Sequence, residues 1–417
     1  MDSIHIQGGM SLQGKVRIQG SKNAALPVLA ATLLTKETSF IRNCPRIADV
    51  HKMVSLLQCL GCHVRWEEGG IRIRAENICE GDMPVEAITG MRSSLCLLGA
   101  LLGRCGEVIM EYPGGCVIGK RPIDLHISSL EQMGVVFWED NGRMMATTEG
   151  LHGAEIVLPI ASVGATENII LAAVMAEGNT LIQGAAMEPE IASLCHYLEC
   201  CGAMIEGIGS STLWIQGGRT LYGADYAVPA DRIVAGTYLF ACVGAGGNVL
   251  LEQAPWREMG TVIDTAEQLG AQCMVAAEGL FVQAPEYPEA IPYLRTASYP
   301  GFPTDLQSMV LAVETVSAGE SIIEETIFEN RFRVVEPLIS MGAKIEMPDT
   351  NRVRIMGVER LHGTTVEAKE LRGGAALVLA GLIAEGETVV KGCSHIYRGY
   401  ENICRDLREL GARIISV

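Results

Sequence analysis

The stretch Tyr112-Pro113-Gly114-Gly115-Cys116-Val117-Ile118-Gly119-Lys120-Arg121-Pro122 holds the residue best suited to covalent or proton-transfer chemistry. Its three glycines loosen the backbone, and Pro122 suits the start of a helix over the following Ile123-Asp124-Leu125-His126. A cysteine in so glycine-rich a segment is not core packing. Lys120 and Arg121 favour its thiolate, which nearby anions oppose. The segment has the composition of a lid that closes over a substrate. A carboxylate candidate, Asp305, follows Phe302-Pro303-Thr304 and sits near a helix start. It is read either as a chemical group or as a partner of the helix dipole.

Cations gather in the same kinds of place. Lys22, Arg92 and Arg372 fall near the starts of apolar helical runs, as do Ser162-Val163-Gly164, Asp231-Arg232 and Thr304-Asp305. Helix N-termini expose N–H groups and a partial positive charge, which suit phosphate and carboxylate. Lys or Arg there opposes the dipole, so an anionic ligand explains it better than helix stability; a solvated surface position is the plain alternative. Arg331, in Phe328-Glu329-Asn330-Arg331-Phe332, and Arg398, in His395-Ile396-Tyr397-Arg398-Gly399-Tyr400, precede second helices. Their guanidinium forks match carboxylate and phosphate.

Repetition supplies the elements that hold these groups. Leu60-Gly61-Cys62, Met133-Gly134-Val135, Cys201-Gly202-Ala203, Leu269-Gly270-Ala271, Met341-Gly342-Ala343 and Leu410-Gly411-Ala412 recur at roughly constant spacing. Each closes a unit that reads as apolar helix, strand, loop, second helix, glycine turn and strand. The first helices are apolar nearly all round, which predicts helices inside and sheets outside. The fold class expected is α/β: two inside-out domains of three repeats each. The domains expected are 22–229, carrying the Cys116 segment, and 1–21 plus 230–417, carrying Asp305, with the active site in the cleft between them. The first 21 residues read as strands that could pair with the second domain.

Composition narrows the function. Of 417 residues, 48% are hydrophobic and 19% charged, which describes a folded globular chain. A formal charge of −17 and only 5% aromatics argue against nucleic acid as a partner. Fourteen cysteines without a signal-like N-terminus point to a reducing, cytoplasmic setting. The uncharged run Ile233–Leu251 carries Gly244, Gly246 and Gly247, so it reads as a buried helix and strand rather than a membrane span. Cys59-Leu60-Gly61-Cys62 has C-x-x-C spacing, but falls on the repeat's helix-end positions. Neither a metal nor another cofactor is expected.

With these segments in hand, the chain resembles the UDP-N-acetylglucosamine enolpyruvyl transferases, the MurA family. The likeness runs from the first strand to Gly411. It is carried by Gly20-Ser21-Lys22-Asn23-Ala24-Ala25-Leu26-Pro27, Pro113-Gly114-Gly115-Cys116, Arg121-Pro122-Ile123-Asp124-Leu125-His126, Ser162-Val163-Gly164-Ala165-Thr166, Phe302-Pro303-Thr304-Asp305, Phe328-Glu329-Asn330-Arg331-Phe332 and Arg398-Gly399-Tyr400-Glu401. The resemblance implies transfer of the enolpyruvyl group of phosphoenolpyruvate to the 3′-hydroxyl of UDP-N-acetylglucosamine in peptidoglycan synthesis. It implies that Cys116 protonates the methylene carbon, can carry a covalent adduct and is alkylated by fosfomycin, and that Asp305 accepts the hydroxyl proton. It assigns Lys22, Arg121 and Arg398 to the phosphate, and sets Arg331 and Arg372 beside the reacting centre. Asn23 and the backbone of Ile327 go to the sugar, and Arg92 to the substrate-binding edge. Residues Arg121, Pro122, Ile123, Asp124 and Leu125, with Ser162, Val163 and Gly164, go to the UDP part. Two positions depart from the pattern: Glu370 where the family often has Asp, and Ile160 where some members have Lys. The alternatives are a shikimate-pathway enolpyruvyl transferase, which lacks the cysteine, and a non-catalytic paralogue that senses nucleotide sugar.

Overall fold

The computed structural model describes residues 3–78, 95–111 and 123–417. Two compact units emerge: one runs from Gly20 to Pro229, and the other joins the residues up to Gln19 to Ala230–Val417. Each has its own hydrophobic core, built from residues 24–228 in the first and from residues 4–18 and 233–414 in the second.

Twelve helices are described. In the first unit they are α1 Lys22–Ala31, α2 Ala48–Cys59, α3 Leu97–Cys105, α4 Asp124–Glu131, α5 Val163–Ala173 and α6 Pro189–Cys200. In the second they are α7 Arg232–Ala245, α8 Gly260–Gln268, α9 Thr304–Glu314, α10 Val335–Ser340, α11 Leu371–Ile383 and α12 Ile403–Glu409. The odd-numbered helices are the first helices of the six repeats. They are the buried ones: α11 is covered from Leu371 through Leu382, and α1 from Ala24 through Ala31. Their apolar surface on every side leaves them no solvent face, which puts them inside and the sheets outside. A fully buried Leu or Ile there contributes roughly 1.5–3 kcal/mol.

The repeats are richer than the sequence reading. A hairpin follows the glycine turns at Gly61, Gly134, Gly202, Gly270 and Gly342, whereas the single strand Arg413–Ser416 follows Gly411, and a short strand precedes four of the first helices. Glu155–Val157, Asp225–Ala227, Tyr293–Arg295 and Thr365–Glu367 are such strands, each pairing in parallel with a longer strand. At three residues they are too short to display alternation. Two N-terminal strands complete the second unit's sheets. β1, Ser3–Gln7, runs antiparallel between Glu387–Lys391 and Arg413–Ser416, and β2, Leu12–Arg17, runs parallel to Gly247–Glu252.

The six glycines after the second helices share one backbone state. Gly61, Gly134, Gly202, Gly270, Gly342 and Gly411 have φ between 88° and 101°. A side chain is strained there, so glycine is the residue that lets each helix turn into the strand that follows. The run Ile233–Leu251 forms most of α7 and the strand Gly247–Glu252. Among the described residues no helix is long and apolar enough to cross a membrane.

Candidate active site

In the second unit the N-termini of α7, α9 and α11 converge on a cluster of buried charges. Asp305 lies in the first turn of α9, whose cap residue is Pro303. Its carboxylate does not cap the helix. Oδ1 accepts from Arg331 Nη2 at 2.7 Å and Oδ2 from Arg372 Nη2 at 3.1 Å. Both arginine side chains are 2–3% exposed, while that of Asp305 is 28% exposed. The carboxylate is therefore gripped from inside and reachable from outside.

The clamp is itself supported. Arg331 Nε and Nη2 also donate to the carbonyl of Thr304, 3.3 Å away. Arg372 Nη1 donates to the Tyr400 hydroxyl at 3.4 Å, and that hydroxyl lies 2.8 Å from Thr237 Oγ1. Burial works against the Arg372 charge, but Asp305, Tyr400 and Asp231 outweigh it and raise its pKa. Burial also raises the pKa of Tyr400, against the pull of Arg372. Asp231 caps α7 by accepting from Ile233 and Val234 N–H.

Glu370, one of the two departures, caps α11: its carboxylate accepts from the N–H groups of Arg372, at 2.7 Å, and Gly373. It also lies 4.0 Å from Arg331. Its extra methylene is thus absorbed at the charge cluster. Glu325, which the sequence reading passed over, accepts from Thr304 Oγ1 at 2.8 Å and from Ile327 N–H at 2.7 Å. A contact from the Ile327 backbone would therefore have to use its carbonyl. Arg398 ends the 3-10 segment Cys393–Arg398 and is half-buried, two residues before Tyr400.

The first unit is built differently. Lys22 opens α1 behind the Ser21 cap, with Asn23 next to it, both half-buried. Lys22 Nζ lies 3.3 Å from Oδ2 of Asp49, whose side chain is 2% exposed. The sequence leaves a lysine at this terminus either an anionic ligand or a solvated surface position; the fold adds a third partner, a buried aspartate in the first turn of α2. Ser162 caps α5 by accepting from Ala165 N–H at 3.4 Å, and Val163 and Gly164 form its first turn. Ile123 caps α4, with Asp124 exposed and Leu125 half-buried. Ile160 is 67% exposed.

Four expected site residues, Arg92, Cys116, Arg121 and Pro122, lie outside the described residues, as does Lys120. The first helix of the second repeat begins at Leu97, five positions beyond Arg92. No cysteine among the described residues forms a disulfide. Burial pushes the Cys195 and Cys242 thiols up to about 12, the behaviour of packing residues rather than nucleophiles. Cys59 is exposed at the end of α2 and Cys62 is buried beyond the turn. Among the described residues no group of three or more His, Cys, Asp or Glu is placed to hold a metal.

Comparison with known proteins identifies the class. The model of the EPSP synthase (3-phosphoshikimate 1-carboxyvinyltransferase) family matches residues 6–407. A UDP-N-acetylglucosamine 1-carboxyvinyltransferase 2 from Caldanaerobacter subterraneus subsp. tengcongensis is 42% identical over 417 residues, all of both chains. A UDP-N-acetylglucosamine 1-carboxyvinyltransferase from Methylacidiphilum infernorum is 44% identical over 420 residues, covering 100% of this chain and 99% of its own. The enolpyruvyl transferase NikO from Streptomyces tendae superposes with a TM-score of 0.90 at 24% identity, covering 100% of this chain and 99% of its own. An EPSP synthase from Acinetobacter baumannii gives 0.77 at 18%, covering both chains fully. These two show the shared fold. The chain belongs to the EPSP synthase family of enolpyruvyl (1-carboxyvinyl) transferases, and it is an enzyme of the transferase class.

Proposed function

We propose that the enzyme moves the enolpyruvyl group of phosphoenolpyruvate onto the 3′-hydroxyl of UDP-N-acetylglucosamine and releases phosphate. This is the first committed step of peptidoglycan precursor synthesis, and the proposal assigns it to the cytoplasm. What carries the reading is whole-length identity above 40% to relatives bearing that substrate's name. The shikimate alternative has less support: the EPSP synthase from Acinetobacter baumannii stands at 18%.

The chemistry is an addition followed by an elimination. The 3′-hydroxyl oxygen bonds to the central carbon of the enol phosphate, the methylene carbon gains a proton, and the hydroxyl proton leaves. The adduct then loses phosphate from the central carbon and a proton from the methyl group, which regenerates the double bond. An acid and a base must therefore serve the same substrate. We assign the acid to Cys116, which can also hold a phospholactoyl adduct, and the base to Asp305. Arg331 and Arg372 orient the Asp305 carboxylate, and Lys22, Arg121 and Arg398 neutralise the departing phosphate. Asn23 and Ile327 hold the sugar, with Arg92 at the edge. Ile123, Asp124 and Leu125, with Arg121, Pro122, Ser162, Val163 and Gly164, take the uridine diphosphate.

The test is phosphate release from phosphoenolpyruvate with each acceptor in turn. Release with UDP-N-acetylglucosamine and not with shikimate 3-phosphate is expected; the reverse would overturn the substrate assignment. Fosfomycin provides a check on Cys116. Inactivation with the adduct mapped to Cys116 by mass spectrometry is expected, and full activity with unmodified Cys116 would contradict the acid assignment.

A further inference from the structure

One fully buried side chain in the first unit ties together three segments that meet the proposed nucleotide-binding residues. Asn168, in α5, is 0% exposed. Its Oδ1 accepts from the N–H of Gly99 in α3 at 2.7 Å. Its Nδ2 faces the carbonyl of Leu95 at 3.0 Å, the carbonyl of Gly164 at 3.2 Å, and His126 Nδ1 at 2.9 Å. The network constrains which groups donate and which accept. Gly99 N–H can only donate, so the amide oxygen must face it. The amide nitrogen then faces His126 and two carbonyls with two hydrogens to share among them; because it cannot accept, Nδ1 can join the network only as an acceptor. In that arrangement the ring proton sits on Nε2.

The backbone is arranged around this contact. A Cβ on Gly99 would lie 2.2 Å from the carbonyl oxygen of Asn168, so α3 and α5 touch main chain to main chain. A Cβ on Gly164 would lie 3.1 Å from His126 Cε1 and 3.4 Å from its Nε2, so the far edge of the ring rests on the first turn of α5. His126 is 6% exposed and directly follows Ile123-Asp124-Leu125. Gly164 completes Ser162-Val163-Gly164. The two short segments assigned to the nucleotide are therefore registered against each other by one imidazole and one amide.

We propose that Asn168 and His126 are positioning residues for the nucleotide half of the acceptor. They set the N-terminus of α4 against that of α5, and the link runs through the Nδ1 acceptor of His126. The inference rests on the nucleotide-sugar reading above, and goes beyond it by naming what holds the two segments in register. It makes no use of the Asp305 cluster, so loss of the link acts more on nucleotide affinity than on the phosphoenolpyruvate side.

The two isosteres of histidine separate this role from packing. In His126→Asn the side-chain oxygen can stand where Nδ1 stands and accept from Asn168. In His126→Gln the amide stands where Nε2 stands and the link is lost. Calorimetric titration of each full-length variant with UDP-N-acetylglucosamine, and with UDP alone, reads the effect. His126→Gln is expected to weaken binding about tenfold, and His126→Asn to stay within about threefold of wild type. KM for phosphoenolpyruvate is expected to change less than acceptor affinity in both. Equal binding by all three proteins, or equal loss in both variants with a matching drop in melting temperature, would overturn the positioning role. Nitrogen chemical shifts of His126 give an independent reading. A proton on Nδ1 in the unliganded wild type would overturn the link whatever the substrate, whereas a wild type that fails to bind UDP-N-acetylglucosamine counts against the substrate reading.

Discussion

The two units share a repeat and differ in what they place at the inner helix N-termini. In the second unit these ends carry charge: Asp231, Asp305 and Arg372, with Arg331 alongside, form a buried network in which each ion is answered by another. In the first, the Asn168 amide joins α5 to α3 and, through the His126 imidazole, to α4, and the ion pair of Lys22 with Asp49 stands at α1 and α2. A shared scaffold thus supports two different site chemistries, because the scaffold specifies the cores and glycine turns and leaves the helix ends open to function. The charged end suits a reacting centre, where developing charge must be stabilised. The neutral end suits recognition of a sugar nucleotide by shape and hydrogen bonds.

The contrast can be broken or sharpened by measurement. The largest effect is expected from Arg372→Met, which leaves Asp305 and Asp231 short of a buried counter-ion and costs about 3–5 kcal/mol. Asn168→Ala, which removes neutral hydrogen bonds, should cost about 1–3 kcal/mol. Urea midpoints that rank the two in the opposite order would break the comparison.

Next comes a pH effect concentrated in the first unit. Burial, and then Glu190 and Glu188, push the Glu167 carboxyl up to about 8. An ordinary glutamate, as in the unfolded chain, ionises near 4.5. The fold therefore favours the protonated form. Its contribution is complete below about pH 4.5 and is lost as pH rises toward 8, a change on the order of a few kcal/mol. Glu167→Gln should flatten this dependence and raise the melting temperature more at pH 8.5 than at pH 5. In the second unit Glu314 reaches only about 7, because Ser321 and the Ile291 N–H bond its charged form. Glu314→Gln should accordingly give a smaller gain. The smallest effect treats both units alike. Gly202→Ala and Gly342→Ala, at φ of 101° and 100°, should each cost roughly 1 kcal/mol or slightly more by thermal denaturation.

Much of this was legible before any coordinates. The recurring Leu/Met/Cys-Gly phrase announced the six repeats because φ near 90° after a helix leaves glycine as the fitting residue. The first helices, apolar nearly all round, announced their own burial. Asp305, Arg331 and Arg372 were named from motifs 26 to 67 residues apart, and they meet. Other features were hidden for physical reasons. Asp49 is an ordinary-looking first-turn acid, and nothing local tells that its carboxylate faces Lys22 from another helix. Asn168 sits mid-helix within an apolar run, where its type signals only a mild helix penalty. Its value comes from partners at 95, 99, 126 and 164, a set that three-dimensional packing creates. The three-residue strands carried too little pattern to register.

The central claim is that the charged end of the second unit serves turnover and is not needed to bind the sugar nucleotide. Asp305→Ala tests it most directly, with UDP-N-acetylglucosamine affinity and phosphate release measured on the same preparation. The account predicts affinity within a few-fold of wild type and a fall in turnover of about 10²–10⁴. Parallel loss of affinity and turnover would contradict it, and would make Asp305 a residue of binding or folding.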